Sequence, residues 1–367
     1  MHKQTKKQTN NICPSGFAYN MKLISYYNQT DQLEQAAILV GSMAYDLNLL
    51  DKELPPTMAE FLFGEDETMV LAKAYDAQIK AGNKVRATPK PIQSLALLAP
   101  VPHPPSLRDA YAFRQHVAAG RRNRGLDMIP EFDEFPVFYF SNHHAINGPG
   151  DIAVMPDHLH QLDFELEIAA VIGWAGYNIR AEEADDFIAG FIVMNDFSAR
   201  LLQMIEMKLN LGPAKGKDFA TALGPYLVTP DELQAFVCPT PKGHIGKQYN
   251  LKMQCKVNGA LVSQGSTADM NWTFAEIIER ISYGTEMYPG EIIGSGTVGT
   301  GCFLELNGTA KHQNPNAFEN WLKLGDEVEL SIEGLGVLYN RIIKSEDDFS
   351  ILAQQKKIPE IKNPKTN

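Results

Sequence analysis

A chain of 367 residues with 44% apolar content can bury a sizeable core, as one large domain or two unequal ones. Its formal net charge of −11 argues against a general nucleic-acid binder, which would carry a basic excess. No uninterrupted apolar run approaches membrane-spanning length, and four scattered cysteines without C-x-x-C spacing fit a reducing, cytoplasmic setting rather than a disulfide framework or zinc knuckle.

Residues 1–20 are polar and lack the apolar centre of a secretion signal, so they read as a disordered leader, with Met21 a candidate start. From Met21 the text gives short strands in "KLISYY", "AAILV" and "MAYDL". "TMAEFLFG" and "ETMVLAKAYDAQIKAG" then read as helices: Leu71, Tyr75 and Ile79 recur at four-residue spacing, and Gly82 sits near the end. The proline-rich "ATPKPIQSLALLAPVPHPP" sets a boundary near residue 95, between a small N-terminal domain (21–95) and a larger body (96–355). In the body, "SLRDAYAFRQHVAAGRRNRG" is helix-like. Strands follow in "FPVFYF", "FELEIAAVIGW", "AGFIVMND", "PYLVTP", "LKMQCKVNG" and "DEVELSIEGLGVLYNRII", with one more helix in "NWTFAEIIERISYG". Residues 356–367 form a polar tail. The fold class is α+β with a β-rich body.

The acids carry the strongest chemical signal. Side chains alternate across a strand, so Asp163, Glu165 and Glu167 in "QLDFELEIAAVIGW" share a face at the mouth of a run buried on both sides. "FIAGFIVMND" ends at Asp196, and the two sets converge if these strands are neighbours. Three or more carboxylates with no histidine or cysteine among them suit a hard cation, Mg²⁺ or Ca²⁺; a solvated strand end with salt bridges is the competing reading. Asp109 lies seven residues before His116, about two turns if both are helical. His116 becomes a general base if a buried acid orients it, and Glu305 is such an acid. For Glu131, Asp133 and Asp163 solvated charge is the favoured reading.

Gly294, Gly296 and Gly299 in "EIIGSGTVGTGCFLEL" fall at dinucleotide-fingerprint spacing. That site needs a helix after the third glycine. "GCFLELNG" is short, apolar and closed by Asn-Gly, so it reads as a strand ending in a turn, and the nucleotide reading is set aside.

The set "RDAYAFRQH", "DFELEIAAVIG", "MNDFSARLLQ", "GPAKGKDFATALGP" and "GSGT…GCFLEL" resembles the fumarylacetoacetate hydrolase family, in order from about Asp109 to Glu305. The resemblance implies a mixed β-sandwich roll behind a smaller N-terminal domain, assembled as a homodimer. It implies that Asp109, Glu165, Glu167 and Asp196 ligate one Mg²⁺ or Ca²⁺, with Thr221 beside it through its backbone. It makes His116 the base that activates water and Glu305 the acid that orients it. Arg200, Gln203 and Lys217 then surround the reacting carbonyl, and Tyr111 and Thr297 touch substrate. An arginine expected after the base has three contenders, Arg121, Arg122 and Arg124, of which Arg124 is chosen. Met207 departs from the family, since it stands where the animal enzymes place a substrate-contacting tyrosine.

The activity implied is hydrolysis of a carbon–carbon bond in a small diketo acid. His116 together with Glu305 points to the member that gives the family its name, which cleaves fumarylacetoacetate to fumarate and acetoacetate in tyrosine and phenylalanine catabolism. The alternatives are an acylpyruvate hydrolase, an oxaloacetate decarboxylase or a sugar-acid dehydratase on the same fold, or a non-catalytic metal-binding scaffold.

Overall fold

The computed structural model describes residues 21–354; the leader 1–20 and the tail 356–367 lie outside the described residues. The chain opens on three antiparallel strands, β1 (Lys22–Asn28), β2 (Leu33–Val40) and β3 (Met43–Asp46). Two helices follow as the spacing predicts, α1 (Met58–Phe63) and α2 (Glu65–Lys80). Thr57 caps α1 by accepting the Glu60 N–H, and Glu65, Asp66 and Glu67 fill the first turn of α2, where the helix dipole favours acids.

The body continues with β4 (Leu107–Ala110), α3 (Arg114–Arg122), β5 (Phe138–Ser141), β6 (Gly150–Val154), β7 (Leu166–Ile172) and β8 (Ile188–Asp196). After α4 (Arg200–Glu206) come β9 (Thr221–Val228), β10 (Lys252–Val257), β11 (Ala260–Ser266) and α5 (Phe274–Ser282). The described chain closes with β12 (Ile292–Gly294), α6 (Phe303–Gln313), β13 (Glu327–Ile332) and β14 (Gly336–Lys344). The main sheet has twelve strands, and its path includes β3-β2-β1-β9-β8-β7-β12-β4-β5. A five-stranded sheet runs β11-β10-β13-β14-β6. The fold is α+β and β-rich.

β7 and β8 are buried along their whole length because both sheet faces are covered. Ile168, Ala170 and Ile172 enter one core with Phe191 and Val193; Ala169 and Val171 enter another with Ile192 and Met194. Fully burying a large aliphatic side chain stabilises by roughly 1.5–3 kcal/mol. Acids at the ends of these strands are therefore held by elements that cannot shift without opening two cores.

Two expectations are corrected. "SLRDAYAFRQHVAAGRRNRG" is not one helix: Asp109 lies on β4, and α3 opens only at Arg114. β4 pairs with β12 on one side and β5 on the other, and this double pairing outweighs local helix preference. "GCFLELNG" is the start of α6, not a strand. Cys302 is its cap, and Sγ accepts the Glu305 N–H at 3.4 Å. The Asn-Gly pair that looked like a turn is a packing device: a Cβ at Gly308 would lie 2.4 Å from the Asn123 side chain at the end of α3.

β1 pairs with β9, Lys22 opposite Val228, and the core holding Leu23 and Ile38 also holds Ala169, Ile192 and Leu223. Sheet and core thus run across the boundary placed near residue 95.

Candidate active site

The strand register gathers four acids. Asp196 ends β8, Glu167 is the second residue of the adjacent antiparallel β7, and Glu165 immediately precedes β7. β12 lies between β7 and β4, with Gly294 opposite both Ala169 and Asp109. A Cβ on Gly294 would come 2.4 Å from Asp109 Oδ1, so this close approach requires glycine. Gly296 turns back with φ +76° and donates its N–H to Asp109 Oδ1 at 3.0 Å. One oxygen from each of Asp109, Glu165, Glu167 and Asp196 lies within 4.8 Å of the others, and all four residues are buried.

Two buried cations bond to this cluster. Lys217 Nζ donates to Glu165 and, at 2.7 Å, to Asp196. Arg200, the first residue of α4, donates to Glu165 Oε1 at 2.7 Å, to Asp163 Oδ2 at 2.9 Å and to Gln203 Oε1 at 3.0 Å. Tyr139 donates its hydroxyl to Asp196 at 2.5 Å. Burial raises Glu165, but Lys217 and then Arg200 outweigh it and hold its carboxyl at about 2. For Asp109 the balance is reversed: burial, then the charge of Asp196, outweighs the Lys217 charge and pushes it up to about 7. Burial, then Asp109, pushes Glu167 well above the carboxylate range.

His116 stands on the first turn of α3, and its Nδ1 lies 2.7 Å from Glu305 Oε2 on α6. The Tyr111 ring meets the imidazole edge-on, centroids 5.9 Å apart. Asn123 fixes the acid from behind by donating to the Glu305 carbonyl at 3.2 Å. A ring nitrogen of His116 comes within 4.8 Å of a Glu165 oxygen, so the pair adjoins the carboxylate cluster.

Thr221 stands opposite Asp196 in the ladder, and its hydroxyl donates to Asp196 Oδ1 at 3.3 Å; the resemblance implied a backbone contact. The Thr297 hydroxyl donates to Glu167 at 3.3 Å. Of the three arginines, Arg121 bonds the Asp127 carbonyl and Arg122 reaches Thr309 on α6. Arg124 donates to the Gly120 carbonyl at 3.0 Å, and burial pushes the Tyr111 hydroxyl up. Met207 is largely exposed just past α4.

The sequence reading missed three groups. Asp163 is not solvated: it is fully buried and accepts the Phe303 and Leu304 N–H groups at 2.7 and 2.9 Å, as well as Arg200. Glu131 and Asp133 are exposed as expected. Tyr139 reaches Asp196 from β5, and Cys302 sits beside His116 and Glu165; only cross-strand register and the helical cap would have placed them. The nucleotide reading fails for a new reason. A helix does open after the glycines, but Asp163 already occupies its N-terminal N–H groups.

A model for the fumarylacetoacetate (FAA) hydrolase C-terminal region matches residues 106–343, more than half of the chain. The chain belongs to the fumarylacetoacetate hydrolase family. Among its relatives, the rat protein named oxaloacetate tautomerase Fahd2a, mitochondrial, is 32% identical over 332 residues, covering 88% of this chain and 92% of the relative. Oxaloacetate tautomerase YisK of Bacillus subtilis (strain 168) is 30% identical over 256 residues, 68% of this chain and 74% of the relative. The structure of fumarylacetoacetate hydrolase EaFAH from psychrophilic Exiguobacterium antarcticum superposes with a TM-score of 0.63 at 23% identity, over 89% of this chain and 100% of that one. A probable 2-hydroxyhepta-2,4-diene-1,7-dioate isomerase from Mycobacterium abscessus gives 0.60 at 24%, with the same coverage. These structural likenesses establish the family's β-rich fold. The rat and Bacillus subtilis relatives both carry tautomerase names, so the step from family to its founding hydrolase is not supported by them. Among the described residues no helix is long and apolar enough to cross a membrane.

The donor set fits a hard divalent cation. It is all-oxygen, its acids outnumber the cations beside them, and Glu167 Oε2 is buried without a partner. This has a measurable consequence. Asp109 and Glu167 hold protons more tightly in the folded protein than in the unfolded chain. Their contribution to stability is present at acid pH and is lost as pH rises through about 7 for Asp109. Without divalent cation, Tm should fall as pH rises from about 4 to about 7. Mg²⁺ or Ca²⁺ competes with those protons, so its stabilisation should grow over the same range, reaching about 2.7 kcal/mol at ~100-fold its Kd. Thermal melts at several pH values check this; a cation effect that shrinks as pH rises refutes the cluster as the ligand set.

Proposed function

We propose that this family member moves protons on a small β-keto acid, with oxaloacetate as the preferred substrate and enol–keto tautomerisation as the reaction. One observation carries the reading: the His116–Glu305 pair stands at 2.7 Å beside the four-carboxylate cluster. A proton carrier next to a cation site is what enolisation requires. The names of the rat and Bacillus subtilis relatives support the choice of substrate.

Asp109, Glu165, Glu167 and Asp196 would hold Mg²⁺ or Ca²⁺, which when bound polarises the oxygens of a β-dicarbonyl acid. Glu305 holds Nδ1 of His116, fixes the ring and stabilises the imidazolium, which leaves Nε2 to exchange the substrate proton. Arg200 and Lys217 keep Glu165 ionised beside the reaction, and the Gln203 amide, held through its oxygen by Arg200, presents its NH₂ to substrate oxygen. One preorganised donor of that kind is worth about 3 kcal/mol in the transition state. Tyr111, Thr297 and Arg124 complete the substrate surface. We place the enzyme in the cytoplasm as a homodimer.

The second reading is hydrolysis of fumarylacetoacetate. The same pair would then remove a proton from water, and the presence of both His116 and Glu305 is the observation that favours it. A panel decides between them: enol-to-keto conversion of oxaloacetate, oxaloacetate decarboxylation, and cleavage of acetylpyruvate and fumarylacetoacetate, each followed by absorbance with Mg²⁺. Oxaloacetate tautomerisation should give the highest kcat/KM and vanish with EDTA. A higher value for fumarylacetoacetate would establish the hydrolase instead, and no turnover on any substrate would favour a metal-binding scaffold.

A further inference from the structure

Next to the carboxylate cluster stands a second group of donor atoms. A ring nitrogen of His116, a carboxylate oxygen of Glu165 and the Cys302 thiol lie within 4.8 Å of one another. We propose that these three residues form a second cation site, selective for a borderline ion such as Zn²⁺, whose occupation inhibits the enzyme.

The donor chemistry separates this site from its neighbour. Nitrogen, sulfur and one oxygen make a set that suits Zn²⁺, with three protein ligands and a remaining position for water. Mg²⁺ and Ca²⁺ prefer the all-oxygen cluster alongside, so two kinds of ion sort by donor type. The outer contacts also fit. A zinc-ligating histidine commonly has its other ring nitrogen held by a carboxylate, which fixes orientation and raises basicity. Glu305 does this to Nδ1 at 2.7 Å and leaves Nε2 as the donor. Cys302 is fully buried, and its Sγ accepts the Glu305 N–H at 3.4 Å. The ligands sit on α3, at the entrance to β7 and at the cap of α6, so the fold fixes their separation. Glu165 also accepts from Arg200 and Lys217, and burial pushes the Cys302 thiol well up, so the second ion shares this carboxylate, must displace the thiol proton to solvent, and binds more weakly than in a dedicated cage.

An ion on Nε2 takes the lone pair that a base needs. The inhibitory half of the proposal therefore rests on the role assigned to His116, whereas binding does not. The test separates them. Full-length protein loaded with Mg²⁺ is titrated with Co²⁺, because a cobalt–thiolate bond produces charge-transfer absorption in the near ultraviolet. The wild type should develop this band. Cys302→Ser, which keeps a good helix cap, should lack it. Glu305→Gln should keep the band but bind about 10–100-fold more weakly. A wild type without the band, or a Cys302→Ser variant that retains it, overturns the site. Zn²⁺ should then inhibit turnover of the Mg²⁺-loaded enzyme, with Cys302→Ser requiring at least ~10-fold more Zn²⁺; equal sensitivity of the two proteins overturns the inhibitory role. If no substrate is turned over, the cobalt band still decides the site.

Discussion

His116→Ala should lower turnover at least ~10²-fold, the lower range for losing a general base, while leaving Mg²⁺ binding intact. In the proposed mechanism the imidazole exchanges the substrate proton, and it is not one of the four clustered acids. Glu305→Gln keeps the shape of the side chain but removes the charge that stabilises the imidazolium, so it should also be severe. The double variant should be little worse than His116→Ala, because residues that act as one unit lose activity non-additively. Steady-state kinetics on oxaloacetate and fumarylacetoacetate, with Mg²⁺ affinity measured by calorimetry on each variant, check all three statements. Near-full activity of Glu305→Gln on both substrates would dismiss the pair. Additive losses would mean that the two residues act separately.

The parts of the fold legible in the sequence were those written in local pattern. The apolar run from Ile168 to Ile172 announced a strand buried on both faces, and β7 is one. Leu71, Tyr75 and Ile79 announced α2. Failure came where long-range pairing or packing overrode the local text. Asp109 was drawn into a helix because "RDAYAFRQH" carries helix-compatible residues; the strands on either side of β4 decided otherwise. α6 was read as a strand because four apolar residues have no usable period, and because Gly308 resembled a turn when it was making room for Asn123. The four clustered acids were found through strand alternation and resemblance together. Tyr139 was not, since its place beside Asp196 depends on β5 lying next to β4, which no local pattern reveals.

Asp163 is the clearest case of chemistry hidden from the sequence, and it carries the largest expected effect on stability. Its carboxylate accepts from Phe164 N at 3.0 Å, Phe303 N at 2.7 Å and Leu304 N at 2.9 Å, and pairs with the Arg200 guanidinium at 2.8 and 2.9 Å. It therefore ties the start of α6, which carries Glu305, to the arginine that holds Glu165. Asp163→Ala would leave two helix N–H groups unpaired and Arg200 with a single acid. Breaking a buried ion pair by removing one partner costs about 3–5 kcal/mol, a large part of the roughly 5–15 kcal/mol that holds a domain together. Asp163→Asn keeps one acceptor oxygen and loses the charge, so it should destabilise less and fold. In that variant α6 and Arg200 are both less firmly held, so kcat should fall by more than KM changes, and Mg²⁺ affinity should fall less than kcat. Denaturant unfolding of both variants, with kinetics on Asp163→Asn, tests the two halves. A loss under about 1 kcal/mol for Asp163→Ala would show that a solvated acid was the right description after all.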